Sequence, residues 1–239
     1  MLNLGCTWTR LGLEKINGVI ILELSLVFAR RIFSIFNGSH IMTRNMREPS
    51  TPLFGWVAST LMQNGNQKVA VSAVQHLQVL DTDIVCEVGA GNGLSLHEIV
   101  KYTSKDIYAI EISKVFRRQL RSLNLPKNVS ILENDASDLK DEISDNTVNK
   151  FLGINLVYFL NPLNLYLDEF FRILKPGGIG IFACKFDKIQ RFDEAVAPNK
   201  SESLVIAALA EAGFEATSNF VDLGDENSRY TAIKFHKPL

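Results

Sequence analysis

The sequence predicts an α/β fold with a doubly wound sheet of seven strands, mostly parallel and ending in an antiparallel hairpin. Three observations support this fold class. From Ile84 onward, short apolar runs alternate with segments of about ten residues at helical spacing. A glycine-rich turn, Gly89–Gly93, follows the first apolar run. The last two apolar runs are separated only by the polar turn Leu223–Ser228, which is too short for a crossover helix.

Apolar runs predict the strands Ile84–Val88, Ile107–Ile110, Val129–Leu132, Val148–Ile154, Ile179–Cys184, Ala216–Val221 and Tyr230–Phe235. Helical spacing predicts the helices Leu94–Tyr102, Ser113–Leu123, Asn161–Leu174 and Ser201–Ala212. Ser113 is a favoured N-cap, Pro162 suits the first helical position, and Gly213 closes the last helix. Lys175–Gly178 reads K-P-G-G and predicts a sharp turn before the fifth strand.

The segment before the first strand is predicted to be helical. Two prolines in Arg47–Trp56 indicate a linker. Apolar residues at helical spacing in Phe54–Leu80 then indicate one long helix or two short ones, with a break at Asn64–Asn66. These features predict a domain over residues 51–239, preceded by an N-terminal extension over residues 1–50.

The extension contains a strongly apolar segment, residues 16–36. Glu23 and two arginines interrupt it, so it is a poor membrane span, and it lacks a clear small-residue cleavage site for a signal peptide. Its spacing fits an amphipathic helix. Such a helix could pack on the domain or on a partner, contact a membrane surface or target an organelle, or form a poorly ordered extension.

The composition narrows the class of partner and the compartment. A net charge of −1 and a pI near 6.4 carry no bulk basic signal for nucleic acid. Three widely spaced cysteines favour neither a disulfide framework nor a metal cluster, and Cys86 and Cys184 fall inside predicted strands as small hydrophobes. A reducing, cytoplasmic location is expected, with a mitochondrial or membrane-associated one as the alternative through the N-terminal segment.

The turn after the first strand, E-V-G-A-G-N-G, discriminates between two ligands. In the dinucleotide fingerprint a third glycine follows the second by three residues. Counted from Gly91 that position is Leu94, which fits poorly and disfavours a dehydrogenase. Glu87 precedes Gly89 by two residues, and a carboxylate at this place would repel a pyrophosphate but attract an ammonium group.

Two further acids follow the next two strands. Glu111 ends the second strand, where a carboxylate can accept two hydrogen bonds from a ribose diol. Asp135 follows the third strand and can accept from an adenine amine. In an open parallel sheet these strand ends meet at one edge. An ammonium, a ribose and an adenine in that order describe S-adenosylmethionine.

The segments E-V-G-A-G-N-G, A-I-E-I-S, E-N-D-A-S and F-F-R-I-L-K-P-G-G-I-G-I-F-A resemble the successive motifs of class I S-adenosylmethionine-dependent methyltransferases, which have a Rossmann-like fold. The similarity covers roughly residues 80–235 and is greatest to the small-molecule branch of the ubiquinone and menaquinone methyltransferases. The resemblance implies that cofactor is bound by Glu87, Gly89, Ala90, Gly91, Asn92, Gly93, Glu111, Ile112, Asp135, Ala136 and Asn155.

The resemblance also bears on the acceptor. Some amine and amide methyltransferases have two prolines and an aromatic residue directly after an Asn at the position of Asn155. This chain has Leu156-Val157 before Tyr158, so methylation of nucleic-acid or protein amides is not expected. We expect an apolar acceptor, small or lipid-like, in a pocket formed by Phe54, Trp56 and Tyr158 under a lid, Phe54–Asn66. No residue stands out as a catalytic base. A fold that binds the cofactor without catalysis, as an assembly or regulatory partner, is the alternative.

Overall fold

A computed structural model describes residues 23–239. Its helices are α1 (residues 23–36 of the described part), α2 (His40–Arg47), α3 (Pro52–Gly65), α4 (Gln67–Leu77), α5 (Leu96–Ile99), α6 (Lys114–Ser122), α7 (Leu163–Ile173) and α8 (Glu202–Glu211). Its strands are β1 (Val85–Val88), β2 (Ile107–Ile110), β3 (Val129–Leu132), β4 (Val148–Ile154), β5 (Leu174–Cys184), β6 (Glu215–Val221) and β7 (Tyr230–His236).

The seven strands form one sheet in the order β3-β2-β1-β4-β5-β7-β6. Strands β1 to β5 pair in parallel, whereas β7 is antiparallel to both β5 and β6. The predicted fold class, including the antiparallel C-terminal hairpin, is therefore confirmed. Strand order reverses between β1 and β4, so the carboxyl ends of these two strands are where an open α/β sheet binds its ligand.

The sheet is stabilised by a buried aromatic cluster on one of its faces. Phe151 lies within 6 Å, ring centre to ring centre, of Phe170 in α7, Phe182 in β5 and Phe235 in β7. All four side chains are fully buried. Cys86 and Cys184 are buried in β1 and β5 and act as small hydrophobes, as predicted.

Three local predictions differ from the structure. The helix after β1 is limited to Leu96–Ile99, because Lys101 and Tyr102 bond to carbonyls three residues back and tighten the last turn. Pro162 is the N-cap of α7 rather than its first residue. The K-P-G-G segment lies inside β5, where the pairing with β4 shifts register and Gly177 N donates to the carbonyl of Lys237 over 2.8 Å.

The predicted linker before α3 is an ordered turn. The buried side chain of Asn45 accepts hydrogen bonds from the backbone amides of Ser50 and Thr51 and from the Thr51 hydroxyl, at 3.0–3.1 Å. These bonds connect the end of α2 to the start of α3. The expected break near Asn64–Asn66 is present, since α3 ends at Gly65 and α4 begins at Gln67.

Helices α1 and α2 pack on the rest of the chain. Ala29, Ile32 and Met42 form a small buried cluster with Val57 of α3. Thr43 Oγ1 also accepts a hydrogen bond from the backbone amide of Asp193 over 3.0 Å. The first part of the segment 16–36 lies outside the described residues. Within the described part, no helix is long and apolar enough to cross a membrane.

Replacing Phe151 with Ala tests the aromatic cluster. The truncation leaves a cavity among three rings, so we expect the free energy of unfolding to fall by about 3–5 kcal/mol. Phe220→Ala on β6 is the matched control, because that ring is 70% exposed and its loss is expected to cost less than about 0.5 kcal/mol. Urea denaturation of both variants measures the difference. Equal losses would contradict the proposed importance of the cluster.

Candidate functional site

Glu87 lies at the switch point, in β1 just before the glycine segment, and its side chain is 1% exposed. Ser95 Oγ donates a hydrogen bond to Oε1 of Glu87. Oε2 is fully buried and has no hydrogen-bond partner among the described residues. Burial raises the pKa of this carboxyl to about 8. A buried acceptor without a donor is costly, and it lines a narrow cavity that a cationic group could enter.

The glycine turn brings backbone to the edge of this cavity. Gly89 and Gly91 line it, and Gly91 has φ +55°, in the left-handed region that favours glycine. Gly93 has φ +83°, and a Cβ there would lie 2.8–2.9 Å from the side chains of Leu123 and Leu120. Ala90 and Asn92 line the same cavity. The glycines of the turn therefore present backbone without side chains to the cavity, and the other side of the turn packs closely against α6.

Glu111 follows β2 and holds the glycine turn in place. Its Oε2 accepts from the backbone amide of Gly91, and its Oε1 from that of Ser113, both over 2.7 Å. Burial raises the pKa of the Glu111 carboxyl, although these two backbone bonds act in the opposite direction. Each carboxylate oxygen has a second lone pair, so both oxygens keep acceptor capacity for hydroxyl groups. Glu111 lines the neighbouring cavity together with Ile112.

Asp135 and Ala136 line the far end of that neighbouring cavity. The carboxylate of Asp135 accepts hydrogen bonds from Ser137 Oγ (2.8 Å) and from the hydroxyl of Tyr166 in α7 (3.2 Å). Partial burial opposes ionisation of Asp135, but the bonds from Ser137 and Tyr166 outweigh it and lower the pKa of the carboxyl. The three predicted acids thus border two adjoining cavities along one edge of the sheet.

A hydrogen-bonded ring of four residues lies where these cavities adjoin a third. Asn155, just after β4 with φ +51°, donates from Nδ2 to Asn66 Oδ1 (3.0 Å) and accepts at Oδ1 from the Tyr158 hydroxyl (3.1 Å). Lys185 Nζ donates to Asn66 Oδ1 (3.0 Å), and the Lys185 backbone amide donates to the Tyr158 hydroxyl. The ring joins the end of β4, the end of β5 and the turn between α3 and α4.

Lys185 is 9% exposed and is held entirely by neutral oxygens. Besides Asn66, its ammonium donates to the carbonyls of Gly65 (2.8 Å) and Asn227 (2.7 Å). No carboxylate lies within ion-pair distance of it in the described part of the chain. Burial lowers the pKa of Lys185 to about 8. The site therefore contains a buried positive charge that no carboxylate of residues 23–239 contacts.

The third cavity has a volume of about 550 Å³ and is the largest space next to the ring. Its apolar lining comes from Phe33, Met46, Leu61, Met62, Phe159, Ile189 and Phe192. Asn66, Asn155, Tyr158 and Lys185 line it as well. Met62 and Asn155 line all three cavities, so they mark the place where the cavities meet.

Phe54 and Trp56, predicted to line the acceptor pocket, are not among the described residues that line the three cavities. Phe54 packs edge-on against Phe36, with ring centres 5.1 Å apart, and Trp56 lies 6.2 Å from Phe28. Both contacts are with α1. Helical geometry explains the difference, because Leu61 and Met62 lie farther along α3, on the turns that reach the ends of the strands.

Met62 and Asn66 lie within the predicted lid, Phe54–Asn66, and both line cavities of the site. Sequence reasoning did not single out Ser95, Lys185 and Tyr166 as site residues. Ser95 at the start of the helix after the glycine turn was visible as a possible partner for Glu87. Lys185 and Tyr166 come from distant segments, and no motif surrounds them. The described residues contain no cluster of three or more side chains suited to a metal ion.

The residues present fit S-adenosylmethionine. The buried, unpartnered Oε2 of Glu87 suits an amino group, the free lone pairs of Glu111 suit a ribose diol, and Asp135 lies where an adenine amine could donate. Asp135 and Glu111 belong to one cavity and Glu87 to its neighbour, in the order that the ligand requires.

Comparisons with known proteins agree with this geometry. Residues 86–182 match the methyltransferase domain family. The methyltransferase phqN of Penicillium fellutanum is 25% identical over 183 residues, which cover 66% of this chain. The chain spans 56% of the length of that relative.

Two solved structures share the fold. One is a chain of the complex between the Haloferax volcanii Trm112 methyltransferase activator and a protein assigned as a methyltransferase, with a TM-score of 0.62, 18% identity, and coverage of 76% of this chain and 93% of that chain. The other is an S-adenosylmethionine-dependent methyltransferase from Aquifex aeolicus, with a TM-score of 0.58, 19% identity, and coverage of 74% and 97%.

Replacing Glu87 with Gln tests the ammonium site. We expect the affinity for S-adenosylmethionine to fall about 10- to 100-fold, because a charge-assisted hydrogen bond in a buried site is lost. The wild-type carboxyl is largely protonated at pH 7 and ionises when a cation binds, so binding should also release up to about one proton. Calorimetry in buffers of different ionisation enthalpy measures both quantities.

Glu98→Gln is the matched control for this experiment. Glu98 is also buried, in α5, but it bonds to Lys101 and Tyr102 and does not line the cavity. Its replacement is expected to change the affinity by less than about threefold. An unchanged affinity and unchanged proton release in Glu87→Gln would contradict the assignment.

Proposed function

We propose that this chain, in which residues 86–182 form a methyltransferase domain and S-adenosylmethionine is the expected cofactor, methylates a small or lipid-like acceptor. One observation carries the proposal: the buried, unpartnered Oε2 of Glu87 at the point where strand order reverses. Bound S-adenosylmethionine supplies an activated methyl group on a sulfonium, whose loss leaves the neutral thioether S-adenosylhomocysteine.

The chain's own residues bind, align and exclude water, which is most of what a reaction with an activated donor requires. Glu87 would accept from the amino group of the cofactor, Glu111 from the ribose and Asp135 from the adenine amine. Asn155 and Met62 border both the cofactor cavities and the larger cavity, so an acceptor atom between them lies close to the donor.

An apolar acceptor is supported by the aromatic, Met, Leu and Ile side chains that line the 550 Å³ cavity. The absence of prolines at Leu156-Val157 supports the same interpretation. The resemblance to ubiquinone and menaquinone methyltransferases favours a ring or a lipid-like body. Phe54 and Trp56 would contribute indirectly, because they support α1, which lines this cavity through Phe33.

We also propose that residues 16–36 contact a membrane surface, and that the protein is cytoplasmic, or mitochondrial or membrane-associated through this segment. Leu24, Phe28 and Ile35 of α1 are exposed, and the adjacent Arg30 and Arg31 are exposed too. Apolar side chains flanked by cations suit an anionic membrane surface. The alternative function, cofactor binding without catalysis, is consistent with the same exposed face serving a protein partner.

Replacing Gly91 with Arg tests cofactor binding. A side chain at Gly91 enters both narrow cavities, so we expect the affinity for S-adenosylmethionine to fall more than about 100-fold and methyl transfer to be lost. Gly224→Arg controls for backbone strain, because Gly224 has φ +89° and a Cβ there would have no atom within 4 Å. Calorimetry with S-adenosylmethionine and with NAD reads out both variants. Binding of NAD alone by the wild type would refute the proposed function.

Replacing Met62 with Ala tests the acceptor site. Met62 lies where the three cavities meet, so we expect the KM of an acceptor to rise about 5- to 50-fold through lost apolar contact. Leu53→Ala on the same helix is the control and should change KM by less than about threefold, because that side chain is 48% exposed and lines none of the three cavities. The acceptor is found by incubating cell-extract lipids and metabolites with a labelled methyl donor. A larger effect of Leu53→Ala would show that the exposed part of α3 binds the acceptor.

A further inference from the structure

The large cavity is strongly cationic for a space with an apolar lining. Arg30, Lys185, Lys188 and Arg191 line it, whereas Asp187 is the only carboxylate among its described lining residues. Lys188 is neutralised, because it pairs with Asp187 (3.5 Å) and with Glu226 (2.9 Å). Among the described lining residues, three cations, Arg30, Lys185 and Arg191, therefore remain without a carboxylate partner.

Two of these charges are free to meet a ligand. The guanidinium groups of Arg30 and Arg191 form no ion pair or hydrogen bond within residues 23–239. Their two segments pack together, since the ring of Phe33 in α1 lies edge-on against that of Phe192, with ring centres 6.3 Å apart. The arginines are thus presented to the cavity from opposite elements, α1 and the segment after β5.

The third charge is buried at the inner end of the cavity. The ammonium of Lys185 directs its three donors to neutral oxygens, so its charge is not compensated by direct contact with a carboxylate. A charge in a poorly solvated wall acts over a longer distance than one in water. An anion in the cavity would be attracted by Lys185 without displacing any of these hydrogen bonds.

We propose that the acceptor combines an apolar body with an anionic group, a carboxylate, sulfate or phosphate, that Arg30 and Arg191 bind directly. The proposal rests on the proposed function, because it assigns the cavity to the methyl acceptor. The apolar lining holds the body of the acceptor, and the arginines fix its charged end, since a guanidinium can donate two parallel hydrogen bonds to such a group. The acceptor atom is then directed toward Asn155 and the cofactor.

The test compares charged and neutral probes of the same shape. Naphthalene-2-carboxylate and decanoate are titrated by calorimetry beside naphthalene-2-carboxamide and decanamide, in the presence of saturating S-adenosylhomocysteine. We expect each carboxylate to bind at least about tenfold more tightly than its amide, with a preference that weakens at high salt. Equal affinity of the charged and neutral probes would overturn the proposal.

Arg30→Gln and Arg31→Gln form a matched pair of variants. Both residues are exposed on α1, but only Arg30 lines the cavity. Arg30→Gln and Arg191→Gln are each expected to weaken carboxylate binding about three- to tenfold and to leave amide binding unchanged. Arg31→Gln is expected to change neither. An equal effect of Arg31→Gln would show that general surface charge causes the preference for carboxylates, and it would overturn the proposed anion site.

Two further comparisons identify the source of the anion and separate a failure of this inference from a failure of the proposed function. Cosedimentation with phosphatidylcholine vesicles, with and without phosphatidate, distinguishes a lipid headgroup from a soluble acid as the source of the anion. Dependence on Arg191, which lies outside the proposed membrane-contacting segment, supports the lipid, and its absence supports the soluble acid. Binding of S-adenosylhomocysteine without a carboxylate preference overturns this inference alone. A carboxylate preference without cofactor binding overturns the proposed function, and with it the assignment of the anion as a methyl acceptor.

Discussion

The site depends on the carboxyl group of Glu87, which is held out of water with one oxygen that has no hydrogen-bond partner among the described residues. Burial alone would push Glu87 toward its neutral form, and the hydrogen bond from Ser95 offsets only part of that cost. The parallel sheet makes such an arrangement possible, because β1 is flanked on both sides by β2 and β4 and is buried on both faces. A cationic ligand at Oε2 would offset the desolvation of the carboxyl group. The site would therefore bind a positively charged group in preference to a neutral one.

The second acid has a different physical role from the first. Glu111 is buried as well, but each of its oxygens accepts a backbone amide, and one of these amides belongs to Gly91. The acid that was predicted to contact ribose thereby also fixes the conformation of the glycine turn. A ligand at Glu111 and a ligand at the turn would thus be coupled through one carboxylate, and a change at Glu111 would disturb both.

The parts of the structure that could be predicted are those encoded by neighbouring residues. Alternating apolar runs and helical spacing indicated every strand of the sheet, and the three acids could be placed because parallel strands end at the same edge. The short α5 could not be predicted, because its last turn is set by bonds to carbonyls three residues back rather than by composition. The contact of Lys185 with Asn66 joins segments that are 119 residues apart, and no local pattern indicates such a pair.

The same division explains why the cofactor is easier to infer than the acceptor. The residues expected to bind the cofactor lie almost wholly within residues 86–182, the part that matches the methyltransferase domain. The large cavity draws Arg30, Met62, Asn66, Lys185 and Arg191 from either side of that part. Side chains from α1 and from the segment after β5 line neither narrow cavity, so they could change without disturbing the turn at Glu87. One cofactor site could in this way serve different acceptors. We therefore expect the identity of an acceptor to follow from the charge and shape that these flanking segments present.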